Sequence, residues 1–201
     1  METYDVDLLI KVGVLLLVGG LIGSFYAETT CHFVSIREYI GYYEEPFHLH
    51  AGMYEYTSMD SVFTGHSFCL PYDGYYSASE PLFPRLAGAA ALIAGASTSL
   101  ILWTYLICMR TNLLLWKLGI FLVSSAALFQ FSTFYFFFDD VCTDKACRLG
   151  PGAFMSLVAF TTYVLVAHTM SQNSPVSNDK SYKDNEHNAD EESYYAAPSI
   201  V

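Results

Sequence analysis

The chain has 201 residues, 53% of them hydrophobic and only 14% charged, against the roughly 25% charged residues of an ordinary soluble domain. Its net charge of −11, from 20 acids against 9 Lys and Arg, leaves no basic surface to neutralise phosphates and excludes nucleic-acid binding. The apolar residues gather into four long runs with nearly all the charge between them, the pattern of a polytopic membrane protein and not of a water-soluble enzyme.

The runs cover 8–26, 86–109, 113–138 and 152–170, each long enough to cross a hydrocarbon core of ~30 Å as a helix. The first carries one charge, Lys11. Its leader is acidic (Glu2, Asp5, Asp7), and Phe25-Tyr26-Ala27 lacks the small residue wanted three before a cleavage site, so it reads as a retained span and not a signal peptide. Arg110 and Lys117 mark the short connection between the second and third runs, which contains no acid. The positive-inside rule makes that connection and both termini cytoplasmic. Segments 27–84 and 139–151 then lie outside; the first holds eight acids (Glu28, Glu38, Glu44, Glu45, Glu55, Asp60, Asp73, Glu80) against Arg37.

Cys31 and Cys69 fall in the first outer loop and Cys142 and Cys147 in the second, the distribution of oxidised cysteines outside a cell. Three pairings are arithmetically open. Cys31 with Cys69 and Cys142 with Cys147 is favoured, because each pair closes within its own loop. A zinc reading is disfavoured, since Cys142 and Cys147 lack the tight spacing and companion ligands of a structural site. Cys108, at the inner end of the second run, reads as a small apolar helix-end residue, with reversible acylation of a juxtamembrane thiol as the functional alternative.

In the first loop, 33–36, 52–57 and 61–64 are β-prone runs broken by Gly, Pro and Asp, which predicts a small antiparallel sheet. The loop is dense in tyrosine (Tyr39, Tyr42, Tyr43, Tyr54, Tyr56, Tyr72, Tyr75, Tyr76), suited to an interface with membrane or protein. His32, His48, His50 and His66 also lie there, but no Cys or carboxylate spacing completes a metal site around them. Within the spans, Gly19 and Gly23 in the first and Ala87, Ala91, Gly95 and Ser99 in the second predict close helix packing. Phe134 to Phe138 form an aromatic belt. Gln130 and His168 are the most polar side chains of the last two spans, and no charge lies in the middle of any span, which argues against an ion-coupled transporter. No nucleophile elbow, phosphate loop or paired-carboxylate motif is present, so neither an enzyme nor a cofactor site is expected.

A short N-terminus, a large β-prone outer loop, a basic inner turn, a small second loop and a polar tail resemble the layout of the claudin-like four-transmembrane (tetraspan) superfamily over about 8–170. Gly52-Met53-Tyr54, with Cys69 downstream and Cys31 before it, is the nearest match to that family's Gly-Leu-Trp first-loop motif. The segment from Cys147 through Gly150, Pro151 and Gly152 to Ala153 looks most like the divergent fungal and protist members. The resemblance implies a non-catalytic protein of the plasma membrane that organises contacts, mediates adhesion or accompanies a larger membrane complex as an auxiliary subunit. The alternative is a pore former whose acids Glu44, Glu45, Glu55 and Asp60 line a cation-selective path.

The expected fold is therefore an all-α membrane bundle of four transmembrane helices over 1–170, with a disulfide-stapled antiparallel sheet in the first extracellular loop. Residues 171–201 form a polar tail expected to be disordered in the cytoplasm. Its end, Ser199-Ile200-Val201, suits a PDZ-type domain that adds the tail as a strand and binds its carboxylate. The expected partners are the lipid bilayer and other membrane proteins, in homo- or hetero-oligomers.

Overall fold

The computed structural model describes residues 3–38, 47–57, 69–72, 81–108, 113–138, 142 and 146–173. Helices α1 (Thr3–Thr29), α2 (Leu82–Cys108), α3 (Leu113–Ser132) and α4 (Pro151–Gln172) form a bundle, and a 3₁₀ segment, Thr133–Phe138, prolongs α3. All four are long and apolar enough to cross a membrane, over Ile10–Thr29, Leu82–Ile107, Leu113–Phe138 and Pro151–Gln172. Helix α1 runs past the apolar stretch at both ends, and α2 begins at Leu82 instead of 86, because backbone hydrogen bonding continues where hydropathy stops. Pro151 opens α4, where its missing N–H costs nothing, after Gly150 in an extended conformation (φ −93°, ψ 177°).

Each helix packs on two neighbours: α1 on α2 and α4, and α3 on the same pair. The outward faces stay apolar, with Leu15, Ile22, Ile93, Leu100, Phe121 and Leu128 all exposed. A helix apolar all round is covered on its outer face by membrane hydrocarbon or by further protein. The inward faces are built from small residues. Ala87, Ala91, Gly95 and Ser99 are buried, and a Cβ on Gly95 would stand 3.0 Å from the Tyr163 hydroxyl and 3.1 Å from Leu21. On α1 the close approach to α4 belongs to Gly20 and Gly23, which face Thr162, Tyr163, Met155 and Ala159. Gly19 does not take part: it is exposed, with nothing within 4 Å of its Cβ direction. The buried stripe of α1 passes through Leu17, Gly20 and Ser24, which turns Gly19 away from it.

A polar network crosses the interior. The Ser24 hydroxyl donates to Gln130 Oε1 (2.6 Å), Gln130 Nε2 donates to Ser156 Oγ (2.7 Å), and Thr133 and Ser156 share a hydroxyl contact of 2.8 Å. It ties α1, α3 and α4 at one level. At the end of the bundle far from the sheet, Trp116 Nε1 donates to the Met170 carbonyl (3.1 Å), satisfying a helix-end acceptor.

The sheet sits on the other end. Its strands are β1 (Val34–Glu38), β2 (Phe47–Ala51), β3 (Glu55–Thr57), β4 (Cys69–Pro71) and β5 (Ala146–Leu149), in the order β4-β3-β2-β1-β5, with every pairing antiparallel. The sheet is not confined to the first loop. The free edge of β1 takes β5 from the second, with Val34 opposite Leu149 and Ile36 opposite Cys147. Disulfides join Cys31 to Cys69 and Cys142 to Cys147. The run at 61–64, the acids Glu44, Glu45 and Asp60, Arg110, the tail with Ser199, Ile200 and Val201, and the side chain of Cys108 lie outside the described residues.

Replacing Gly95 by Leu puts a branched side chain into space filled by Tyr163 and Leu21, whereas Leu100→Ala trims a side chain that is 68% exposed. Thermal unfolding in detergent should show Gly95→Leu losing stability on the order of 1–3 kcal/mol or failing to fold, with Leu100→Ala close to the parent. Equal stability of the two would mean that this face is not a packing surface.

Candidate functional site

The sheet meets the bundle at a seat built from apolar side chains and close backbone contacts. Phe33 is fully buried, with the rings of Phe134, Phe136 and Phe137 at 6.2, 5.4 and 6.4 Å. The aromatic run 134–138 is thereby divided: Phe136 lies in the seat, while Tyr135 and Phe138 face outward. Ala27, Val34, Ile36, Ala51, Met53 and Ala153 complete the cluster.

The turn from β2 to β3 carries Gly52, Met53 and Tyr54. A Cβ on Gly52 would overlap the Thr30 carbonyl, so only glycine lets the turn close on the segment after α1. Gly52 N–H donates to the Glu55 carbonyl (2.8 Å), and its own carbonyl accepts from the Tyr72 hydroxyl (3.0 Å). Met53 is fully buried, and its carbonyl accepts from Arg85 Nε on the first turns of α2. The Arg85 guanidinium lies over the rings of Tyr54 (5.1 Å) and Tyr72 (5.3 Å), an arrangement in which one planar cation serves two aromatic faces and a carbonyl.

Beside this fastening, Glu28 is 3% exposed, and neither carboxylate oxygen has a hydrogen-bond partner among the described residues. Its carboxylate occupies the space that a side chain on Gly88 of α2 would need. Burial, reinforced by the Glu28 charge, raises the Tyr54 phenol above its ordinary pKa, and the Arg85 charge opposes the rise. Glu28 was expected among the water-facing acids of the first loop; it lies instead in the last turn of α1, in line with the buried stripe through Ser24. That continuation of the helix stripe was the available signal.

A second group lies at the other side of the turn. Cys31, His32 and Cys69 each bring a ligand atom within 4.8 Å of the others, and the His50 ring is 4.4 Å from the His32 ring between centroids. These residues do not form a spacing motif; strand pairing assembles them. His168 is exposed near the far end of α4, and Gln130 belongs to the interhelical network.

No family model matches the chain, and no curated protein matches it.

Because Lys keeps the charge but not the planar fork, Arg85→Lys should loosen the sheet by about 1–3 kcal/mol. Limited proteolysis of the purified protein should then cut the sheet faster, with Tyr54→Phe close to the parent because the ring remains. Protection of Arg85→Lys equal to the parent would show that the fastening lies elsewhere.

Proposed function

We propose that the chain is a non-catalytic, claudin-like integral membrane protein that works through protein–protein contacts, as an organiser of membrane contacts, an adhesion component or an auxiliary subunit. The observation that carries this reading is the single sheet drawn from both loops and fastened to the bundle at Gly52, Met53, Tyr54 and Arg85. Such an arrangement makes a rigid platform on one end of four apolar helices. Its two edge strands are poor templates for strand addition. β4 is three residues long and ends in Pro71, and β5 exposes Arg148. Recognition accordingly uses side chains, and among the described residues the large exposed apolar ones include Leu70 and Leu149 on the strands and Tyr54 in the turn.

In this reading the four helices span the plasma membrane, the sheet faces outward, and both termini are cytoplasmic, with the basic connection inside. Lipid covers the outward helix faces, and other membrane proteins meet the platform. Cys108 is available for acylation, and the terminal Ser199-Ile200-Val201 is available to a PDZ-type domain.

A photo-crosslinking residue at Leu149 or Leu70, in cells expressing the full chain, should yield discrete protein adducts and be labelled by an impermeant reagent from outside. The same residue at Phe121 should yield chiefly lipid. Protein adducts absent from both sheet positions, or labelling of the tail in intact cells, would overturn the proposal.

A further inference from the structure

Cys31 and His32 follow α1, His50 lies on β2 and Cys69 opens β4, yet the fold brings all four to one place. Cys31 Sγ is 3.3 Å from His32 Nδ1, the ligand atoms of Cys31, His32 and Cys69 lie mutually within 4.8 Å, and the His50 ring lies tilted against the His32 ring with a 4.4 Å centroid separation. Cys31 is buried, and His32 and Cys69 are half-buried. Two sulfurs and one imidazole nitrogen suit three corners of a zinc ion: Zn–S distances of about 2.3 Å and Zn–N distances of about 2.0 Å put tetrahedral ligands about 3.3–3.8 Å apart, so two sulfurs that stand about 2 Å apart in any disulfide part by a little under 2 Å to hold the ion.

We infer that this cluster is a redox-controlled zinc site, in which the opened Cys31 and Cys69 bind Zn²⁺ together with His32, and His50, whose ring packs beside that of His32, offers an imidazole for the fourth position. The disulfide and the metal are alternative states of the same two sulfurs. A dithiol reductant supplies two electrons and two protons: the Cys31–Cys69 bond breaks, two thiols form, and the reductant becomes a disulfide. Zn²⁺ then displaces the two thiol protons. Oxidation of the two thiolates by a disulfide of the same class re-forms the bond, returns that reagent to its dithiol with uptake of two protons, and releases the ion.

The donors stay assembled without the sulfur bridge. Cys69 pairs with Thr57 across β3 and β4, and the neighbouring Tyr72 is held by the Gly52 carbonyl (3.0 Å). His50 stands opposite Ser35. His32 N–H donates to Thr30 Oγ1 (3.2 Å), and its carbonyl accepts from Gly152 N–H (3.1 Å). Among the described residues, Cys142 and Cys147 belong to no such group of donors.

The test uses the full-length protein in detergent, reduced with a phosphine that is oxidised to its oxide, then exposed to Zn²⁺, alkylated in the folded state and peptide-mapped. Against the same reduced protein without the ion, Zn²⁺ should slow alkylation of Cys31 and Cys69 and leave the rates at Cys142 and Cys147 unchanged, while the unreduced protein should bind no ion at these sulfurs. An outer partner of a ligand is worth about 10–100-fold in affinity, so His32→Ala, which removes a ligand, should weaken binding at least about tenfold. Co²⁺ on the reduced parent protein should give a thiolate-to-metal charge-transfer band, a readout that does not depend on the variant folding. Unchanged alkylation of Cys31 and Cys69 on adding Zn²⁺, unchanged affinity in His32→Ala, or no cobalt band would overturn the inference.

Discussion

The sheet end of the molecule depends on the backbone of the four residues Thr30, Cys31, His32 and Phe33, onto which two separate loops close through glycine. Gly52 packs on Thr30 and Cys31, Gly150 on His32 and Phe33, and Gly152 on Thr30 and Phe33. At each glycine a Cβ would collide with main-chain atoms of this segment or with the Thr30 side chain. Hydrogen bonds follow from the proximity: Gly150 N–H reaches the Phe33 carbonyl at 2.9 Å, and Gly152 N–H the His32 carbonyl at 3.1 Å. Once the second loop is held there, β5 lies along β1 and completes the sheet. The same segment sends Phe33 into the aromatic seat and presents Cys31 and His32 toward β4. Fold and candidate metal site therefore share one backbone constraint.

The bundle below obeys a different rule. Apolar side chains face both inward and outward, and in the proposed membrane setting burial alone does not choose between helix registers, because lipid solvates an aliphatic side chain as well as protein does. Small residues and paired polar groups make the choice. Gly20 and Gly23 fit the ridge of Met155, Ala159, Thr162 and Tyr163 at one offset of α1 against α4. Gln130, buried and bonded to both Ser24 and Ser156, is satisfied at that offset. Sliding α1 by a turn would part Ser24 from Gln130 and leave a hydroxyl and an amide oxygen without that bond in an apolar interior, at a cost of about 1–3 kcal/mol for each group left unpaired.

Hydropathy made the four spans legible, because a bilayer demands length and apolarity and little else. It also misplaced detail wherever three-dimensional neighbours decide. Gly19 and Gly23, four apart, look like one helix face, but the stripe that meets α4 contains Gly20. The sequence at 47–51, Phe-His-Leu-His-Ala, and at 146–149, Ala-Cys-Arg-Leu, has little β-branched or aromatic content, and both segments become strands by pairing with β1. Gly52-Met53-Tyr54 was legible as a motif, whereas Arg85, lying just past the boundary assigned to the loop, gave no sign that it would cap that turn. The Cys–His cluster was illegible for a simple reason: Cys31 and Cys69 stand 38 positions apart, and no local spacing reports a strand register.

The energetic weights of the two disulfides differ, and the difference bears on what each can do. Loop-closure entropy assigns about 4 kcal/mol to a bridge spanning the 38 positions of Cys31–Cys69 and about 2 kcal/mol to one spanning the 5 positions of Cys142–Cys147. Both values act chiefly by restricting the unfolded chain, so opening a bridge does not itself displace native neighbours. Around Cys142–Cys147 nothing further is gained by opening, since no other donor is grouped with that pair among the described residues. Around Cys31–Cys69 the inferred opening would place two thiolates beside His32, with His50 packed on His32, and a structural zinc ion is worth about 10–16 kcal/mol at neutral pH. That exceeds the lost closure entropy even if the seat gives up part of it to reorganise. In that inference the larger, long-range bridge is the one whose loss this fold can compensate, because Cys31 and His32 stand on the segment that both loops hold in place, while strand pairing holds His50 and Cys69.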